Sequence, residues 1–234
     1  MTSGHDFSPA LTKELVAHLK AFATAPRVTR FETVASQRTR HLTVVLEEIY
    51  QPHNASAVLR TCDCFGIQDV HIIENRNRYQ VNPDVALGAS KWLDMVRYRD
   101  GEESTMNCLN ALKSKGYRIV ATTPHTDSHT PETLPLDQKT ALVFGTELEG
   151  LTQQVMENAD DFVRIPMFGF TESLNISVSA AIILRSLTMR LHETQLPWRI
   201  TEEERDRVML AWLRESIGSA EMIISEFLRS RGAL

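Results

Sequence analysis

The sequence predicts an α/β protein with a mostly parallel sheet and helices on both faces. Three observations carry this reading. Short apolar, β-branched runs alternate along the chain with segments of helical period, the pattern of parallel strands joined by helical crossovers. Three turns between them share one grammar of strand, polar loop and helix start: 52–61 (PHNASAVLRT), 142–151 (LVFGTELEGL) and 165–181 (IPMFGFTESLNISVSAA). The two ends of the chain show helical spacing and no strand-like run, so they read as helical extensions at 1–40 and 196–234 around a central domain at 41–195.

The elements follow in order. At 8–24, Leu11, Leu15, Leu19 and Phe22 recur at helical spacing on one face. Pro26 reads as a break before a short helix at 30–37. The run LTVVLEEI at 42–49 is a first strand, and 54–65 a helix with Asn54 as N-cap and Gly66 as its stop. Strands are expected at 70–74, 95–98, 118–122, 141–144 and 162–166, and helices at 102–115 and 151–159. The segment 173–193 reads as a long helix, apolar around most of its girth, with Ser173 and Asn175 in its first turn. Pro197 ends it, and two charged amphipathic helices at 201–214 and 216–231 finish the chain.

Composition narrows the function classes. The chain has 234 residues, 42% hydrophobic and 24% charged, enough for a sizeable core without staples. No apolar run reaches the ~18–20 residues of a membrane span, and the first residues lack the pattern of a secretory leader. Cys62, Cys64 and Cys108 form a sparse, odd set that fits a reducing compartment, so the cytoplasm is expected. Cys62 and Cys64 sit two apart in a helical stretch, pointing different ways, and read as packed thiols. They form no metal spacing with His53, His71, His125 or His129. There is no GxGxxG and no P-loop, which removes support for NAD enzymes and P-loop NTPases. The net charge of −5 does not advertise a nucleic-acid binder, but Arg27, Arg30, Arg38 and Arg40 stand against one acid, Glu32. That cluster reads either as a phosphate-binding surface or as a solvated helix face.

Polar residues in the three loops have modest readings one at a time. Arg60 is a helix-end arginine reaching water, or a phosphate grip near the strand ends. Asn54, Ser173 and Asn175 are capping residues, and Glu147 is an anion near a helix start. Taken together they point to a site, because a parallel sheet gathers its strand-to-helix loops along one edge, where small ligands bind.

At these residues the sequence resembles the SpoU/TrmH branch of the SPOUT methyltransferases, which methylate ribose 2′-hydroxyls of RNA. The family's three motifs occur in order: NASAVLR from Asn54 to Arg60, GTELEGL from Gly145 to Leu151, and IPMFGFTESLNISVSA from Ile165 to Ala180. Motif two usually reads glycine–asparagine–glutamate, and here Thr146 stands at the asparagine position. The resemblance implies a trefoil knot in the C-terminal part of the sheet and S-adenosylmethionine held by Thr122, Gly145, Ile165, Met167 and Leu174. It also implies a homodimer whose sites are completed across the interface, with 173–191 as a dimer face. Among possible substrates it favours tRNA at guanosine 18 of the D-loop, with Arg27, Arg30, Arg38 and Arg40 on RNA. A ribosomal-RNA ribose methyltransferase, or a catalytically idle RNA-binding relative, are the alternatives within the family. An unrelated α/β enzyme acting on a sugar nucleotide is the reading that remains if the motif match is chance.

The catalytic set expected from the resemblance is Arg60, Asn54, Glu147, Ser173 and Asn175. A ribose hydroxyl must lose its proton at or before attack. The family proposal makes the motif-one arginine the base. Guanidinium groups keep their protons to above about pH 12, so a base acting near neutrality needs a displacement of ~5 pH units, about 7 kcal/mol. A neighbouring phosphate works in the wrong direction. Arg60 is therefore expected to clamp the target phosphate and align the ribose, with Ser173 and Asn175 fixing the loop and Arg60, and Glu147 holding the motif-two loop or Asn54.

Overall fold

The computed structural model describes residues 7–49, 51–76, 78–80, 82–126 and 129–232. Along the chain run α1 (Pro9–Lys20), α2 (Ala25–Ala35), β1 (Leu42–Glu47), α3 (Pro52–Cys64), β2 (Asp69–Ile73), α4 (Pro83–Ala86), β3 (Asp94–Tyr98), α5 (Ser104–Ser114), β4 (Arg118–Thr122), β5 (Thr140–Phe144), α6 (Gln153–Asn158), β6 (Asp161–Val163), α7 (Ile176–His192), α8 (Glu202–Ser216) and α9 (Ala220–Ser230). They form two compact units, Thr39–Trp198 and the paired chain ends Met1–Arg38 with Arg199–Leu234. Among the described residues no helix is long and apolar enough to cross a membrane.

The central unit is built on one six-stranded sheet of order β3-β2-β1-β5-β4-β6. Every pairing in it is parallel. Its inner strands, LTVVLE and TALVF, are buried along their whole length, as strands covered on both faces must be. Alternation distributes them between two cores. Val44, Leu46, Leu142 and Phe144 pack with Val58 and Leu59 of α3 and Ile183, Leu184 and Leu187 of α7. Val45, Ala141 and Val143 face the other way, onto Cys108, Leu109 and Leu112 of α5 and Val155 of α6. Each such aliphatic side chain contributes roughly 1.5–3 kcal/mol by leaving water.

The register sets where a site can form. Leu46 pairs with both Ile72 and Phe144, so the carboxyl ends of β1, β2 and β5 lie level. From β1 the chain moves through α3 to β2 on one side, while β5, β4 and β6 fill the other. β1 and β5 therefore flank a topological switch point, where a crevice opens outside the carboxyl ends. At the opposite, amino-terminal edge, Arg40 closes the sheet. Its Nε lies 3.0 Å from each carboxylate oxygen of Asp69, and its Nη2 lies 2.5 Å from Asp94 Oδ2.

The paired chain ends form a small helical unit. α1 packs on α8 and α9, and α2 on α8. Leu15, Leu19, Phe31, Trp212, Leu213 and Ile224 are buried there, and Phe31 meets Trp212 edge-on at 5.5 Å. A capping box of Thr201 and Glu204 starts α8.

Several elements differ from the sequence expectation for local reasons. α2 begins at Ala25, because Pro26 occupies the first helical turn, where its missing N–H costs nothing, and starts a helix that it was expected to precede. Phe22 lies 52% exposed beyond the end of α1, since a helix ending at Lys20 no longer carries it on the apolar face. β6 stops at Val163, and α7 starts at Ile176 with Asn175 as its N-cap, so Ser173 belongs to the preceding loop. Cys62 is packed in the core and Cys64 is exposed.

Candidate active site

Asn54 does not cap α3. Pro52 takes the first helical turn, Gln51 is the N-cap residue but makes no side-chain capping bond to the backbone, and Asn54 falls inside the helix, buried. Its amide is thereby released for tertiary contacts. Asn54 Nδ2 donates to Gln51 Oε1 at 2.6 Å, and its Oδ1 accepts from Asn175 Nδ2 at 3.1 Å.

Asn175 is the hub of the site. As N-cap of α7, its Oδ1 accepts from the Ser177 N–H at 2.9 Å and the Ser177 hydroxyl at 2.5 Å. Its Nδ2 donates to Asn54 and also to Glu147 Oε1. One side chain thus ties together the start of α3, the loop after β5 and the start of α7, which are the three segments singled out in the sequence. Glu147 reaches Asn54 through Asn175.

The loop after β5 is closed on itself. Thr146 and Gly150 exchange backbone hydrogen bonds of 2.9 and 3.1 Å. Gly145 is required for this approach, because a Cβ there would stand 2.2 Å from the Gly150 carbonyl oxygen. Thr146 Oγ1 accepts from the Glu149 N–H at 3.0 Å, so the residue that departs from the usual motif acts as a turn-former.

Sequence reasoning missed Glu47, which anchors the far end of the same loop. It is 1% exposed at the end of β1. It accepts from the Thr152 N–H at 2.9 Å, the Thr152 hydroxyl at 2.7 Å and the Thr105 hydroxyl at 2.9 Å. The one signal for it was an acid closing an otherwise apolar strand at the carboxyl edge, where a buried carboxylate must find donors.

Beside the Asn175 hub, the loops after β4, β5 and β6 enclose a cavity of about 310 Å³, lined by Thr122, Gly145, Glu147, Ser173 and Leu174 among others. A smaller one of about 70 Å³ shares Thr122, Ser173 and Leu174 and adds Ile165 and Met167. All five residues expected to hold the cofactor therefore converge. Their chemistry suits a purine nucleoside with a sulfonium tail: aliphatic and thioether walls, a glycine that lets backbone approach, and polar backbone edges. Thr122 spends its hydroxyl on the Val143 carbonyl at 2.8 Å, fixing the loop exit.

Arg60 stands apart from this convergence. It is exposed on α3 and lines a surface depression with His53, Ala57, Thr61 and Asp84. The four arginines of the basic cluster also divide. Arg27 and Arg30 are exposed, one helical turn apart on α2. Arg38 does not reach the surface: it is 1% exposed, with its guanidinium 5.2 Å from the Trp212 ring centroid. Arg40 is held by Asp69 and Asp94. These two positions carry packing and ion pairing where the sequence pattern suggested an RNA surface.

A parallel α/β sheet with a ligand cavity at its switch point, bordered by a fixed Asn–Asn–Glu cluster, defines an enzyme site. The SpoU rRNA Methylase family model matches residues 41–185, and the chain belongs to that family of RNA methyltransferases. Among its relatives is the tRNA (guanosine(18)-2′-O)-methyltransferase of Borreliella burgdorferi, 42% identical over 205 residues, spanning 88% of this chain and 92% of that one. The enzyme of the same name from Thermus thermophilus is 32% identical over 197 residues, 82% of this chain and 98% of that one. Among solved structures, the A. aeolicus TrmH/SpoU tRNA modifying enzyme superposes with a TM-score of 0.72 at 28% identity, covering 82% of this chain and 97% of its own.

Proposed function

We propose that this protein transfers a methyl group from S-adenosylmethionine to the ribose 2′-hydroxyl of guanosine 18 in the D-loop of tRNA. The observation that carries this reading is the Asn54–Asn175–Glu147 cluster set against the cavity of the three loops. Relatives of matching length that bear that activity in their names support the choice of tRNA over ribosomal RNA.

When bound, S-adenosylmethionine supplies an electrophilic methyl group on sulfur. The chain's own residues do the rest. Gly145, Thr122, Ile165, Met167 and Leu174 bind the nucleoside part and exclude water. Asn175 keeps Glu147 and Asn54 in one geometry, so that the loops need no reorganisation when RNA arrives. Ser173, at the cavity wall, steadies the entering ribose. Arg60 grips the target phosphate through its planar fork and aligns the hydroxyl for in-line attack.

The exposed position of Arg60, away from the cavity of its own chain, favours a homodimer in which Arg60 serves the partner's cavity. α7 supports this. It turns Ile183, Leu184 and Leu187 into the core and leaves Val178, Ile182 and Met189, spaced four and seven residues apart, at 44%, 40% and 44% exposure. We take the region from β4 to α7 to be threaded as the family's trefoil knot. Arg27 and Arg30 are our RNA contacts in the helical unit. The work is assigned to the cytoplasm, where both substrates are made.

The test is methylation of a D-loop-unmodified tRNA pool with labelled S-adenosylmethionine, followed by mapping of the modified ribose. Label at nucleotide 18 is expected. Label at another tRNA nucleotide, or no label on tRNA where ribosomal RNA supplied in a parallel reaction is labelled, overturns the assignment.

A further inference from the structure

The loop between β6 and α7 carries an unusual pair. Phe168 and Phe170 are 99% and 108% exposed, whereas the same loop turns Ile165, Met167 and Leu174 onto the cavity wall. Water-exposed phenyl rings two residues apart mark a surface that meets something. A Cβ added to Gly169, between them, would find nothing within 4 Å, so the crest of the loop stands in open space. Cavity-lining residues bracket the pair in sequence: Met167 before it, and Glu172, Ser173 and Leu174 after it.

We propose that Phe168 and Phe170 form a stacking platform for unpaired RNA bases adjoining the ribose that is methylated. The inference rests on the substrate reading above and adds residues that reading does not use. Its physical basis is threefold. First, a loop whose two ends line the cofactor cavity is where the nucleotides beside the target must pass. Second, the one cation of this loop, Arg164, sits at its start next to β6, and from 165 to 175 the only charged residue is Glu172, so the crest offers RNA no positive charge and must hold it through its bases. Third, unstacked bases splayed from a loop are held in protein–RNA complexes chiefly on aromatic faces, and any base can supply the π-face. Gly169 gives the rings freedom to follow the strand. A second copy of the chain is the less favoured occupant, since Val178, Ile182 and Met189 of α7 already offer an aliphatic face on a regular helix.

The experiment compares wild type, a Phe168→Leu/Phe170→Leu double variant and a Phe168→Trp/Phe170→Trp double variant. It measures the dissociation constant for an unmodified tRNA transcript, the affinity for S-adenosylmethionine by calorimetry, and the mass by sedimentation. Leucine keeps apolar bulk and removes the π-face. About a tenfold loss per ring is expected, so the leucine variant should bind tRNA ~100-fold more weakly. Its salt slope, cofactor affinity and mass should be unchanged, and the tryptophan variant should bind at least as well as wild type. Wild-type-like tRNA binding by the leucine variant overturns the inference alone. A leucine variant that falls to half the wild-type mass, or loses the cofactor, assigns the rings to the partner copy or to the cofactor and also overturns it. A wild type that binds no tRNA removes the substrate reading, and this inference with it.

Discussion

The two edges of the central sheet carry similar polar groups and use them differently. At the amino edge, Arg40 is paired with Asp69 and Asp94, a contact that joins the starts of two neighbouring strands. At the carboxyl edge, Asn175 joins Asn54 and Glu147 beside a cavity of about 310 Å³, and Glu47 holds the loop that closes it. Paired charges at strand starts stabilise the sheet. At strand ends, the same kinds of group are fixed in place next to open volume, which is the condition for chemistry.

This contrast makes the effects of substitution separable. The largest expected effect is at the carboxyl edge. Asn175→Ala removes the hub and should lower kcat/KM for tRNA by about 10³-fold, as loss of a preorganised donor does, with a melting temperature within a few degrees of wild type. A comparable loss of stability in Asn175→Ala would erase the distinction between the edges. Arg60→Ala should reach a similar loss. Mixing inactive Arg60→Ala and Asn175→Ala chains should restore part of the activity, because one mixed site regains both groups. Absence of any recovery would return Arg60 to its own chain.

The second effect belongs to the amino edge. Arg40→Met leaves Asp69 beside Asp94, and burial already pushes the Asp69 carboxyl above its ordinary range. Denaturant titration should give a loss of about 2 kcal/mol, and kcat should stay within about twofold.

A separate effect, on the pH dependence of stability, comes from β2. His71, 3% exposed with Nδ1 3.2 Å from the Tyr98 hydroxyl, has its pKa lowered to about 4 by burial. The unfolded chain binds this proton near pH 6.5 and the folded one near 4. Stability from this group is therefore complete above pH 6.5 and falls as the pH drops to 4, by about 3 kcal/mol. His71→Leu should flatten that part of the stability profile. An identical slope in the variant would assign the acid sensitivity to other groups. The smallest effect is Thr146→Asn, which offers the Glu149 N–H an equivalent acceptor and should change activity by less than about threefold.

Most of the fold was legible because buried parallel strands write themselves as continuous apolar runs. LTVVLE and TALVF could hardly be anything else. The convergence of the three loops was legible too, since it follows from parallel topology alone. What escaped depended on partners distant in sequence. Arg40 looked like RNA-binding charge because its acids lie 29 and 54 residues away. Arg38 looked the same, and its Trp212 partner is farther still. Asn54 looked like a cap, and only the placement of Pro52 in the first helical turn frees it for Asn175. Glu47 was hidden at the end of a strand that reads as pure core.

Calorimetric titration of S-adenosylmethionine into the wild type and into Gly145→Ala tests the central claim most directly, since a side chain at Gly145 would collide with the Gly150 carbonyl in the loop turn that borders the cavity. We expect saturable binding to the wild type and at least a hundredfold weaker binding to a folded Gly145→Ala variant. Equal affinity in both, or no binding to the wild type, would contradict a cofactor site at the carboxyl edge.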